Sequence, residues 1–132
     1  MRAQARELAF KLIFERLFVK DNYTFDEEFF ALLKKDEDKE FSKKLVLAFE
    51  ENKTDLTQLI SSHLIGYEID RVYKIDLALL YLACTELKHF ETPFQIVINE
   101  VVELAKIYST EKSSRFINGV LSSILKDLTN QG

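Results

Sequence analysis

Three glycines and one proline in 132 residues leave this chain few places to turn sharply. Average usage is roughly 7% Gly and 5% Pro, and these are the residues that interrupt helices or open tight turns. Apolar residues recur at spacings of three and four along the chain, and strict alternation is absent. That pattern predicts a string of helices with short connections and no strand. Hydrophobic residues make up 47%, with 11 Phe and 5 Tyr, enough to build a real core. The expected fold is therefore all-α, a compact bundle of about seven helices forming one domain over residues 1–132.

The helices are expected at Ala3 to Lys20, Asp26 to Lys34, Asp38 to Asn52, Thr54 to a C′ glycine at Gly66, and from Asp70 or Asp76 to about His89. The sixth starts in "ETPFQ", with Thr92 as cap, Pro93 at the first helical position and Gln95 closing a capping box. It carries Phe94, Val97, Ile98, Val101, Ala105 and Tyr108 on one stripe, and the last helix carries Phe116, Ile117, Val120, Leu121, Ile124, Leu125 and Leu128. Both stripes need burial.

The single cysteine, Cys84, lies in apolar "LLYLACTEL" and reads as a core thiol of a cytoplasmic protein. The longest apolar run, "IDLALLYLAC", falls well short of the roughly 18 to 20 residues of a membrane span. The start, "MRAQARELAF", lacks the layout of a signal peptide, so no membrane association is expected. A net charge of −4 argues against indiscriminate coating of nucleic acid and leaves local basic patches to be found. The acidic run from Asp21 to Glu40 reads as a solvated surface.

Winding the first helix at about 100° per residue gathers Arg2, Arg6, Arg16 and Lys20 into a basic stripe. Two apolar stripes flank it: Ala5, Leu8, Leu12 and Val19 on one side, Phe10, Phe14 and Leu17 on the other. Either the helix is wedged into the bundle or one stripe meets a partner. The same projection of the last helix collects Lys112, Arg115, Gly119, Ser122, Ser123 and Lys126 on one face. This face is either the wet side of an amphipathic helix or a phosphate-contacting surface beside Tyr108 and Phe116, which can stack on bases. Glu100, between Ile96 and Leu104 on its helix, reads as partly buried, and Asn99, Glu100 and Asn118 are candidates to tie the last two helices by hydrogen bonds. No metal spacing, P-loop, G-x-G-x-x-G or G-x-S-x-G motif occurs, so neither a metal, a cofactor nor an enzymatic activity is expected.

Four blocks, "ARELAFKLIF", "RVYKIDLALLYLACTEL", "INEVVELAK" and "SSRFINGVL", stand in the order and spacing of the NusB family. The chain resembles these bacterial transcription antitermination factors from end to end. The resemblance implies a helical domain that binds the boxA element of ribosomal RNA transcripts together with ribosomal protein NusE, within an RNA polymerase antitermination complex. It places RNA contacts at Arg2, Gln4, Arg6, Lys112, Arg115 and Phe116, and NusE contacts at Phe14 and Asp76. Ala3 and Gln4 interrupt the family's denser arginine cluster, and Leu77 and Tyr81 stand where the family often carries arginines. The alternative is a protein-only scaffold or homodimer, built on the extra apolar stripe of the first helix, with RNA binding secondary.

Overall fold

The structure, a computed structural model, describes residues 2–18 and 27–130. These form α1 (Arg2–Arg16), α2 (Glu27–Phe30), α3 (Asp36–Glu51), α4 (Lys53–Ser61), α5 (Lys74–His89), α6 (Phe94–Tyr108) and α7 (Glu111–Asn130), with a 3-10 turn at Ile69–Arg71 before α5. No strand occurs among the described residues. The all-α bundle expected from the periodicity is what forms.

Helix α5 is the axis of the molecule. Every residue from Asp76 to Glu86 is buried, because the segment is apolar on all sides and so can be covered all round. Helices α1, α3, α4, α6 and α7 all pack on it. Helix α1 is wedged between α3 and α5, burying Ala5, Leu8 and Leu12 from one stripe and Phe10 from the other, with Phe14 and Leu17 packed at the edge. Both apolar stripes are thereby largely used inside the bundle.

Several boundaries differ from the periodicity. Helix α1 ends at Arg16 in a turn through Leu17 and Phe18, and Val19, Lys20 and Asp26 lie outside the described residues. The second predicted helix is a single turn. Asp36, Glu37 and Asp38 of the acidic run form the first turn of α3, where carboxylates meet the positive end of the helix dipole. Helix α4 stops at Ser61, and Gly66 works further on, at φ 86° in the link to the 3-10 turn, a conformation that side chains with a Cβ rarely adopt. The capping box at Thr92 does not form. Pro93, with φ −55° and ψ 137°, is the N-cap of α6, with no side-chain cap hydrogen bond, and its carbonyl accepts from the N–H groups of Ile96 and Val97.

On α6 the predicted stripe buries Val97, Val101 and Ala105, while Phe94 at its start is 41% exposed. On α7 the stripe turns inward through Ile117, Val120, Leu121 and Ile124, leaving Lys112, Arg115, Gly119, Ser122, Ser123 and Lys126 exposed.

Candidate nucleic-acid interface

The start of α7 is fixed from two sides. Thr110 caps it, its Oγ1 accepting the backbone N–H of Ser113 at 3.0 Å. Ser109 and Ser113 donate their hydroxyls to Oδ1 and Oδ2 of Asp76, each at 2.8 Å. Asp76 is only 3% exposed. A buried carboxylate needs donors and favourable dipoles; this one has two hydroxyls, stands in the first turn of α5 and faces the beginning of α7, so two helix N-termini meet it. Burial and the Asp76 charge together push the neighbouring Tyr67 hydroxyl above its ordinary pKa.

This bracing aims the next turn outward. Lys112 and Arg115 are exposed, with no ion pair to a carboxylate among the described residues, and Phe116 is half-buried between them and the core. A cavity of about 400 Å³ opens beside them, with Arg71 and Lys112 as its cations and Tyr67, Tyr73 and Phe116 as its aromatic walls. Cations flanked by accessible rings can hold phosphates and stack bases.

The other predicted basic face divides into an inner and an outer arginine. Arg6 is 3% exposed, and its Nε and Nη2 each donate to a carboxylate oxygen of Glu86 at 2.7 Å. Burial opposes the Arg6 charge, yet the Glu86 hydrogen bonds and the charges of Glu86 and Glu100 outweigh it and raise the guanidinium pKa. Arg16 is likewise buried and paired with Glu50. The basic stripe of α1 is therefore largely internal, because the helix is wedged and its arginines reach acids on α5 and α3. Arg2 and Gln4 remain exposed, and the Arg2 guanidinium lies 4.3 Å from the Phe41 ring centroid. Beyond Arg2 runs a groove of about 1040 Å³, lined on its polar side by Lys44, His89 and three glutamates.

The two faces are thus anchored near opposite ends of one helix, Arg6 through Glu86 and α7 through Asp76. Ten residues of α5 separate the anchors, a rise of about 15 Å.

Phe14 lies half-buried against Phe10 and edge-on to Phe18, with ring centroids 6.5 and 5.2 Å away. It borders a shallow pocket with Tyr73, Ile75 and Tyr108. Tyr73 is 72% exposed, so the pocket offers an apolar surface suited to a protein partner. Asp76, expected to face a partner, instead points into the hydroxyl cluster. Asn99 and Asn118 are exposed and, with half-buried Glu100, make no side-chain hydrogen bond among the described residues. The polar tie of α7 runs to α5 through Asp76, since the two asparagines face water rather than each other. Residue patterns did not single out Glu86, Tyr67, Tyr73 or the Ser109–Asp76–Ser113 cluster.

The family model named NusB matches residues 3–126. The transcription antitermination protein NusB of Finegoldia magna is 41% identical over 136 aligned positions, spanning 98% of this chain and 96% of its own. That of Listeria monocytogenes is 38% identical over 124, spanning 93% and 94%. Among solved structures, T. maritima NusB superimposes with a TM-score of 0.84 at 30% identity, covering 96% of this chain and 91% of its own. Antitermination factor NusB, solved in complex with NusE and dsRNA, superimposes with a TM-score of 0.84 at 29% identity, covering 96% of each chain. With the match running through every helix that builds both faces, the chain belongs to the NusB family.

Proposed function

We infer that this protein is a transcription antitermination factor that binds boxA-type RNA of ribosomal RNA transcripts jointly with ribosomal protein NusE, as part of the RNA polymerase antitermination complex. The observation that carries the reading is the superposition, over 96% of the chain, on a NusB solved with NusE and dsRNA. The protein works by binding, without catalysis, in the cytoplasm. Lys112 and Arg115 neutralise backbone phosphates, Phe116 stacks on a base, and Arg2 and Gln4 extend the contact across the other end of α5. Arg6 acts from beneath as a positioning residue, holding α1 so that Arg2 and Gln4 reach the strand. Phe14, with Tyr73, forms the NusE-facing surface, and Asp76 shapes it by fixing α7.

The test is a titration of boxA RNA and a scrambled control, alone and with NusE, at two salt concentrations. Selective binding that tightens with NusE is expected. Equal binding of both RNAs, abolished by salt and indifferent to NusE, would refute the reading, since a purely electrostatic contact falls steeply with ionic strength.

A further inference from the structure

Helix α3 turns one stripe away from the core and into the groove of about 1040 Å³ beyond Arg2. Glu37, Phe41, Lys44, Ala48 and Glu51 all line that groove. At about 100° per residue they fall within an arc of about 80° over roughly four turns. Glu37, Lys44 and Glu51 recur every seven residues, and Phe41 and Ala48 stand seven apart between them. Charges flanking apolar positions at this interval make the seam by which one helix packs along another. Phe41 is buried in the floor, whereas Glu37, Lys44 and Glu51 are exposed and form no ion pair among the described residues.

The opposite wall is the link from α5 to α6, with Phe90 half-buried and Pro93 exposed. Its lip is Ile96, 46% exposed, and the lip on α3 is Leu47, 42% exposed. The volume is at the upper limit of small-ligand pockets, and an open groove with apolar lips suits a helix laid in it better than a small molecule.

Charge selects which helix. Arg2 on one wall and Glu91 on the other contribute one charge of each sign, and Arg6 is already paired with Glu86, so α3 sets the pattern. Along α3 that pattern is minus, plus, minus, the same in both directions. A second copy of α3 laid on it in register, parallel or antiparallel, would set like charge against like. A helix reading plus, minus, plus meets three opposite charges in either direction.

We propose that this groove binds an amphipathic helix of another protein, its apolar edge between Leu47 and Ile96 and its basic, acidic and basic residues opposite Glu37, Lys44 and Glu51. The groove lies at the C-terminal end of α5, whereas the pocket of Phe14 and Tyr73 adjoins the N-terminal end. The occupant is therefore a partner additional to NusE, and the inference stands apart from RNA binding.

The probe is a fluorescein-labelled synthetic peptide of about 20 residues, long enough to be helical in water. Its seam is leucine, flanked at seven-residue intervals by Lys, Glu and Lys; the control peptide carries Glu, Lys and Glu instead. By anisotropy the wild type should bind the first peptide at least tenfold tighter than the control, a preference that shrinks at high salt. The triple variant Glu37→Lys, Lys44→Glu, Glu51→Lys, shown folded by circular dichroism, should reverse the preference. Leu47→Ser and Ile96→Ser should each weaken the first peptide about fivefold, the loss of a half-covered apolar side chain. Saturating NusE should leave its affinity unchanged. Equal binding of the two peptides, no binding of either, or displacement by NusE would overturn the proposal. So would a wild-type dimer in sedimentation that Leu47→Ser dissociates, which would make a second copy the occupant, or boxA affinity lowered by Ile96→Ser, which would make it the RNA strand.

Discussion

Arg6 and Glu86 are eighty positions apart and meet in a two-pronged pair shut off from water. Such a pair contributes little compared with a well-packed apolar substitute, but removing one partner strands a buried charge. Glu86→Ala should therefore cost about 3 to 5 kcal/mol in urea unfolding, the range for breaking a buried pair. It should also loosen α1 and weaken RNA binding indirectly. Cys84 makes a different prediction. Burial pushes its thiol up to about 12, against an ordinary 9.0, with Lys88 opposing weakly. From about pH 9 to 12 the unfolded chain gives up a proton that the folded chain keeps, so this residue's contribution to stability declines as pH rises through that window. Cys84→Ala should unfold with a shallower alkaline loss than the wild type. In the native protein the thiol should react with a disulfide reagent only as fast as the chain opens.

Helix α7 shows how an element is placed by its first turn. Propensity alone would let its start fray, since helix ends leave orphan N–H groups. Thr110 satisfies one of them, and Ser109 and Ser113 pin the turn to Asp76. Thr110→Ala should cost about 1 kcal/mol in thermal or urea unfolding, the usual value of an N-cap. Asp76→Ala should cost more, about 2 to 3 kcal/mol, because two hydroxyls lose their acceptor in a buried site. Amide exchange should show the first turn of α7 opening in Asp76→Ala while α5 and α3 stay protected, which separates a local anchor from a global one.

For the molecule as a whole, a chain of net charge −4 carries exposed cations near the two ends of its central helix, Arg2 on one side and Lys112 with Arg115 on the other, and these are the ones proposed to meet RNA. Reversing Lys112 and Arg115 to glutamate should weaken boxA binding by at least tenfold at low salt and flatten its salt dependence, with helicity unchanged because both side chains are exposed. Unaltered affinity in a folded double variant would remove α7 from the interface. Phe14→Ala should leave RNA binding by the isolated protein intact while weakening its gain from NusE, since Phe14 lines the pocket of Tyr73, Ile75 and Tyr108 and not the face of Lys112 and Arg115. The helical class, most of the buried stripes of α6 and α7, the core thiol and the exposed basic face of α7 are legible in residue order. Each follows from spacing along one helix, a local rule set by 3.6 residues per turn. The buried fate of Arg6 and Arg16, the role of Asp76 as an anchor and the failure of the Thr92 box are not local. A helical projection assigns a charged side chain to a face but cannot say whether that face meets water or an acid from a distant helix. Only the packing of α1, α3, α5 and α7 supplies those partners, and burial makes the pairing obligatory once the helices close.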